Sequence, residues 1–308
     1  MNGRHLVTLR DLGPEEFSGI LDHALAMKKS PEKYREALAG KSLAMIFEKP
    51  SLRTRVTFEL AIVEQGGHAV HLPGGEIRLG ERESVADVTR CLARWVDGIM
   101  VRTFSHKILQ EMADHSDVPV INGLTDLYHP CQALADYLTM REKKERLVRL
   151  PVTYIGDGNN VAHSLALGAS LSGARLRIVT PPGFEPRKEI IETAREGARS
   201  RGGDVEVGTD LAWGLKGAEV VYTDVWASMG QEEEAAVRRK RFSGYQIDAA
   251  AMRLGAPGAI FMHCLPAHRG DEVTAGVADS GASVIFRQAE NRLHAQKALL
   301  HHLMAKPV

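Results

Sequence analysis

"SLAMIFEKPSLRTRVTFELAIVEQGG", residues 42–67, opens on six residues that read as a buried strand and closes on two glycines. Between them Val56, Leu60 and Val63 fall at i, i+4 and i+7, the spacing of a helix, and Gly66-Gly67 suits a left-handed cap. Strand followed directly by helix is the repeating unit of parallel α/β folds. The alternation recurs downstream at "GIMV" (98–101), "VPVIN" (118–122), "PVTYI" (151–155), "LRIV" (176–179), "VVY" (220–222), "AIFM" (259–262) and "SVIF" (283–286). This pattern predicts an α/β protein built on mainly parallel sheets flanked by helices.

A length of 308 residues fits two such domains at roughly 150 residues each. A helical segment from Pro130 to about residue 145 runs into the charged stretch "REKKERLVRL", which marks the expected boundary. The domains are then 1–146 and 147–288, with a last helix near 289–304 returning so that 289–308 joins the first. A hydrophobic fraction of 44% and a charged fraction of 25% fit a soluble globular chain and exclude a disordered or fibrous one. Lys+Arg 39 balance Asp+Glu 39, so no field steers the protein toward nucleic acid or anionic lipid, and any anion site must be local. Cys91, Cys131 and Cys264 form no C-x-x-C pair and no metal-ligand spacing, which points to reduced thiols in the cytoplasm. The N-terminal "MNGRHLVTLRDLGPEEF" reads as neither signal nor transit peptide, and no run reaches the ~18 apolar residues of a membrane span.

With a strand at 42–47 and a helix from 54, residues 48–54 occupy the carboxyl edge of a sheet and the amino end of a helix. Unpaired backbone N–H groups and the positive end of the helix dipole converge there. Ser51 and Thr54 add hydroxyls, Arg53 and Arg55 add planar donor forks, and Lys49 stands beside them. The stretch reads as a phosphate cradle; the plainer alternative is a hydroxyl N-cap followed by a solvated basic turn. The G-x-x-x-x-G-K pattern is absent, so a nucleoside triphosphate is not implied. Arg102 follows "GIMV", and His129, Pro130 and Gln132 follow "VPVIN" after a short loop, with Pro130 where a helix begins. Singly, Arg102 reads as a surface ion pair and His129 as a structural histidine. Three strand ends carrying Arg, His or Gln together mark the crevice beyond the carboxyl edge of a parallel sheet.

In the second half, "IGDGNNVAHS" (155–164) invites a dinucleotide reading but lacks the third glycine of G-x-G-x-x-G and an acidic partner about 20 residues on. Asn159 and Asn160 offer amides suited to an amino acid instead. Asp224, just past "VVY", suits a cationic amine, with Ser228 and Met229 on the loop that follows. His263 and Cys264 stand past "AIFM" in the same way, Cys264 being either a reactive thiol or a small buried hydrophobe, and Cys91 and Cys131 read as packing residues.

Taken together, "SLRTRVTFE", "HPCQALADYLT", "GDGNN", "TDVWASMG", "HCLPA" and "QAENRLH" resemble the ornithine carbamoyltransferase family along nearly the whole chain. The resemblance implies that carbamoyl phosphate is held by Ser51, Leu52 through its N–H, Arg53, Thr54, Arg102 and the His129-Pro130-Cys131-Gln132 segment. Cys264, Leu265 and Arg292 would complete the reacting centre. It implies L-ornithine at Asn159, Asn160, Asp224, Ser228 and Met229, and a catalytic set of Arg102, His129, Asp224 and Cys264. Position 52 departs from the family, which often has Thr there, and Arg78 stands where many members carry Gln or His to reach a neighbouring subunit's phosphate. The implied reaction forms L-citrulline with no cofactor and no metal, in a homotrimer or a multiple of trimers. Rival readings are another acceptor (putrescine, an acylated ornithine or aspartate), an NAD-dependent dehydrogenase resting on "GDGNN", or a non-catalytic binder.

Overall fold

The computed structural model describes residues 4–227 and 234–305. The chain forms two compact units, Met1–Leu138 with Glu290–Val308, and Thr139–Ala289. The first holds α1 (Pro14–Lys29), β1 (Ser42–Phe47), α2 (Leu52–Val63), β2 (His68–Pro73), α3 (Gly74–Ile77), α4 (Val85–Trp95), β3 (Gly98–Arg102), α5 (His106–Asp114) and β4 (Val120–Leu124). Helix α6 (Pro130–Lys144) carries the chain into the second unit. That unit holds β5 (Pro151–Ile155), α7 (Asn160–Ser172), β6 (Arg175–Val179), α8 (Lys188–Arg199), β7 (Asp204–Gly208), α9 (Leu211–Leu215), β8 (Val220–Thr223), α10 (Ala235–Phe242), α11 (Ala249–Arg253), β9 (Ile260–His263) and α12 (Ala275–Ala278). Helix α13 (Ile285–Met304) brings the chain back and packs on the first unit, where Gln65 Nε2 donates to the Lys297 carbonyl at 3.2 Å and Lys28 Nζ to Asn291 Oδ1 at 2.8 Å.

Both sheets are parallel throughout, in the orders β2-β1-β3-β4 and β7-β6-β5-β8-β9. In the first, the order reverses between β1 and β3. In the second, it reverses between β5 and β8. Helices diverge to opposite faces at such a reversal and leave a crevice at the strands' carboxyl ends. Register makes the crevice edges level: Phe47 pairs with Arg102, and Ile155 with Thr223. The inner strands are apolar and buried, with Ile46, Ile99 and Val101 packed under Val88, Leu92, Leu109 and Met112 of α4 and α5. In the second unit Ile155, Val179, Val221 and Phe261 pack with Leu215, Ala251 and Val277.

The sequence reading misses β2 and β7. Both are edge strands, "HAVHLP" and "DVEVG", whose half-exposed residues lack a continuous apolar run. The segment 283–286 is no strand: Ser283 makes one bridge to Phe261, and α13 begins at Ile285, because so short an apolar run cannot distinguish a strand from a buried helix start. Helix α2 forms where its period predicts, but Val56, Leu60 and Val63 lie on its exposed face, and the buried face is Thr54, Phe58, Ala61 and Ile62. After it, Gly66 takes φ +84°, and a Cβ there would lie 2.8 Å from the Arg35 carbonyl oxygen.

Phe58 is fully buried on α2, a helix that packs against β1 and β2, so Phe58→Ala should destabilise the first unit by about 3–5 kcal/mol. A shift of the chemical denaturation midpoint worth less than about 1 kcal/mol would show that the inner face of α2 is not core.

Candidate active site

The turn after β1 is built as a helix start. Ser51 is extended (φ −159°, ψ 116°) and its hydroxyl accepts the Thr54 N–H at 3.2 Å, which leaves the N–H groups of the first turn directed past the end of the sheet. Leu52 is 76% exposed, so its side chain takes no part in the core. Arg53 is half-buried; Thr54 is buried, and its hydroxyl accepts Arg292 Nη2 at 3.1 Å. Arg292 Nη1 donates to Gln132 Oε1 at 2.6 Å, and Gln132 Nε2 donates to Asp136 Oδ1 at 2.8 Å, two side chains one turn apart on α6. Pro130 opens α6 at the position where its missing N–H is harmless. Cys131 points into the core, its Sγ on the Asn122 carbonyl at 3.3 Å and its thiol pushed up to about 12 by burial, against the opposing Arg292 charge.

Arg102 ends β3 beside this turn and is 6% exposed. Burial, then the charges of Arg292 and Arg53, draw its pKa down to about 10. His129 is buried, and burial followed by the charges of Arg292, Arg102 and Arg53 holds its pKa well below the ordinary imidazole value, so it is neutral. Arg53, Arg102, His129 and Arg292 therefore share one local field. Among the described residues neither Arg53 nor Arg102 has a carboxylate within ion-pair distance, and Arg102 Nε has no protein partner. Arg53 and Arg102, cations with no carboxylate beside them among the described residues, leave a local excess of positive charge that attracts anions. Arg78 stands outside it, exposed, at a left-handed residue (φ +46°) after α3, with no hydrogen bond to the cluster among the described residues.

In the second unit the residues past β5, β8 and β9 form another set. Asn159 caps α7, its Oδ1 accepting the Val161 and Ala162 N–H groups at 2.9 and 3.2 Å. Its Nδ2 donates to Asp224 Oδ2 at 2.9 Å. Asp224 Oδ1 accepts the Val225 N–H at 2.8 Å and the Cys264 thiol at 2.9 Å. Asn160 is the first residue of α7 and half-buried. Leu265 takes φ +60° ahead of a cis peptide to Pro266, and its N–H donates to His263 Nδ1 at 2.8 Å. His263 Nε2 faces Glu272 Oε1 at 3.1 Å, which fixes the ring proton on Nε2. Ligand-type atoms of Asp224, His263 and Cys264 lie within 4.8 Å of one another, but both ring nitrogens of His263 are already engaged, which leaves no imidazole lone pair for a metal. Ser228 and Met229 lie outside the described residues.

The dinucleotide alternative fails on packing. A Cβ on Gly158 would lie 2.2 Å from Pro186 N, so the space a fingerprint glycine leaves for pyrophosphate is filled by the chain itself. Sequence reasoning missed the supports of this set. Arg238 Nη1 donates to Asp157 Oδ2 at 2.8 Å and to the Trp226 carbonyl at 3.0 Å, while Tyr154 Oη donates to the Asp157 carbonyl at 2.9 Å. Asp157 was legible within "GDGNN"; Arg238 was hidden in the basic run "AAVRRKRF", where it is the basic residue that is buried.

Two parallel α/β units with polar residues collected at their strand-order reversals, one set cationic and one acid, amide and thiol, define an enzyme that handles an anion and a polar second ligand. The family model described as aspartate/ornithine carbamoyltransferase, carbamoyl-P binding domain matches residues 4–142, and that described as the Asp/Orn binding domain matches 149–303. Ornithine carbamoyltransferase of Oceanobacillus iheyensis is 49% identical over 99% of this chain and 95% of its own, and that of Thermococcus kodakarensis 50% identical over 98% and 96%. The solved ornithine carbamoyltransferase of Pyrococcus furiosus superposes with a TM-score of 0.95 at 49% identity, covering 98% of this chain and 97% of that one. The chain belongs to the aspartate/ornithine carbamoyltransferase family.

His129 should stay neutral through the working range. Its imidazole proton signals should show no titration between about pH 5.5 and 8, and a midpoint near the ordinary value would mean that the arginines do not share its field.

Proposed function

We propose that the cationic set binds carbamoyl phosphate and the Asp224 set binds L-ornithine, for transfer of the carbamoyl group to the δ-amine with release of L-citrulline and phosphate. The observation that carries the assignment of the first site is Arg53 and Arg102 side by side without a carboxylate. A phosphate supplies the missing negative charge and meets the Ser51 hydroxyl and the first N–H groups of α2, Leu52 among them. Gln132, Thr54 and Arg292 hold one another in place, so the donors are preorganised before the ligand arrives. Arg102 and neutral His129 polarise the carbamoyl oxygen as charge develops on it, each such donor being worth about 3 to 4 kcal/mol in the transition state. The arginines stabilise the departing phosphate. Arg78 is assigned to a neighbouring subunit's site, consistent with its exposure.

The acceptor is a cation in water. An alkyl ammonium with a pKa near 10.4 has its neutral form about 3.4 units uphill at pH 7, roughly 4.6 kcal/mol. Asp224 is assigned to attract the ammonium, and Cys264, whose thiol is hydrogen-bonded to the same carboxylate, to assist loss of its proton. A carboxylate at this point also disfavours aspartate as acceptor. Asn159 caps α7 through Oδ1 and holds Asp224 through one Nδ2 donor, and we assign Asn160 with Ser228 and Met229 to the amino-acid end of ornithine, with Asn159 beside them.

Assembly as a homotrimer is supported by the outer stripe of α2. Leu52, Val56, Leu60 and Val63 share one helical face and are exposed by 40% or more, an apolar surface that a second subunit would cover. The relative from Pyrococcus furiosus is described as anabolic, which favours a biosynthetic role in arginine metabolism. No helix among the described residues is long and apolar enough to cross a membrane; the balanced charge disfavours nucleic acid, and three cysteines without a C-x-x-C pair favour a cytoplasmic setting.

A colorimetric ureido assay with carbamoyl phosphate and a panel of ornithine, putrescine, acylated ornithine and aspartate should respond to ornithine, with kcat/KM rising from about pH 6 to 9 as the amine deprotonates. Activity confined to another acceptor would reassign the second site, and a flat profile would remove the deprotonation step. Arg53→Ala should lose about 3 kcal/mol of transition-state stabilisation, a rate loss of roughly two orders of magnitude; a near-native rate at saturating carbamoyl phosphate would exclude Arg53. Light scattering should give the mass of three chains, and a monomer at micromolar concentration would refute the trimer.

A further inference from the structure

Lys49 opens the turn that leads into the cradle, and the assignment above gives it no task. Its side chain is 8% exposed, and its Nζ stands 3.8 Å from the centroid of the Phe104 ring. Among the described residues no carboxylate lies within ion-pair distance of it. The two acids whose charges reach it are engaged elsewhere. The Glu48 carboxylate accepts the Thr103 hydroxyl, and Asp126 Oδ1 accepts the His106 N–H at 3.0 Å. The ring face stabilises the ammonium only modestly compared with a buried carboxylate partner. Burial, then the Arg102 charge, lowers the pKa of the amine, with Asp126 and Glu48 opposing. Such a lysine carries more neutral amine at a given pH than an exposed one. A neutral primary alkylamine is also the nucleophile of the proposed reaction, and this one sits two residues before Ser51, at the carboxyl edge shared with Arg102.

We propose that Lys49 is a site of self-carbamoylation, its Nζ taking the carbamoyl group of carbamoyl phosphate held in the cradle and thereby limiting the enzyme when the acceptor is scarce. The proposal rests on the carbamoyl phosphate reading of the first site. The Nζ lone pair forms the new bond to the carbamoyl carbon, the bond from that carbon to the phosphate oxygen breaks with its electron pair leaving on phosphate, and one amine proton passes to the phosphate or to water. The products are an uncharged ureido side chain and inorganic phosphate, and no other reactant is needed. Loss of a positive charge beside Arg102 weakens the attraction for the next anion, so KM for carbamoyl phosphate rises.

Site-resolved mass spectrometry of the full chain tests this, after incubation with carbamoyl phosphate and, in a parallel arm, with equimolar cyanate, which carbamoyl phosphate releases in solution. With carbamoyl phosphate, Lys49 should gain a carbamoyl group at least about tenfold faster than the median of the other lysines, because binding raises the local concentration of the donor. Excess inorganic phosphate should suppress that preference, and cyanate should not reproduce it. Lys49→Arg should remove the fast phase of mass increase. Modification of Lys49 at the median rate, or a preference equally strong with cyanate or indifferent to phosphate, overturns the proposal. Citrulline formation from ornithine by the same preparation separates the two readings: citrulline with Lys49 unmodified overturns only the lysine assignment, and its absence overturns the reaction on which that assignment rests.

Discussion

Guanidinium groups gathered in one local field are the constraint around which the first unit is arranged. Burial, and after it the mutual repulsion of Arg53, Arg102 and Arg292, draws Arg102 down to about 10 and holds His129 well below the ordinary imidazole range. The sheet resists that repulsion mechanically. Arg102 is the last residue of β3, and its backbone is fixed by pairing with Phe47 and by the Glu48 N–H on its carbonyl at 2.9 Å. Helix α13 carries Arg292 in from the far end of the sequence, tied through Thr54 and Gln132. Gln132 matters here because it is neutral. It passes the pull of Asp136 to Arg292 through an amide, so a carboxylate supports the cluster through a neutral link.

The second unit solves the opposite problem. Asp224 is a buried acid, and both of its oxygens are engaged by Asn159, the Val225 N–H and the Cys264 thiol. Behind it, Asp157 is raised by burial and restrained by Arg238, which also grips the Trp226 carbonyl. One buried arginine therefore braces the turns after β5 and β8 from beneath, while His263 braces the turn after β9. The acid is oriented by its neighbours before any ligand is present, which is the condition for recognising an ammonium at little reorganisation cost.

Much of this was legible in the sequence because the chemistry sits at strand ends, and inner parallel strands are continuous apolar runs. "SLAMIF" and "GIMV" place Ser51 and Arg102 without further help, and Pro130 announces α6. The edge strands were illegible for the same reason in reverse: the half-exposed residues of "HAVHLP" and "DVEVG" carry polar groups that break the run. The facing of α2 was illegible too. Its apolar residues occur on both sides, and period alone does not say which stripe the sheet covers. Arg238 could not be singled out among four basic residues of one helix, since burial of a charge depends on a partner, Asp157, that is 81 positions away.

Placement of the functional groups follows from topology more than from any single motif. A reversal of strand order is the place in an open parallel sheet where the helices part, and each unit has one. In the first unit, β1 and β3 deliver a helix N-terminus and a guanidinium to adjacent positions, so backbone dipole and side-chain charge add rather than compete. In the second, the helix N-terminus after β5 is closed by Asn159 and faces the carboxylate of Asp224 after β8. The same geometric device thus gathers positive charge where the cap is a small hydroxyl and the neighbour a guanidinium. It gathers negative charge where the cap is an amide that binds an acid. The difference between the two rests on Ser51 beside Arg102 and Asn159 beside Asp224, not on any difference between the sheets.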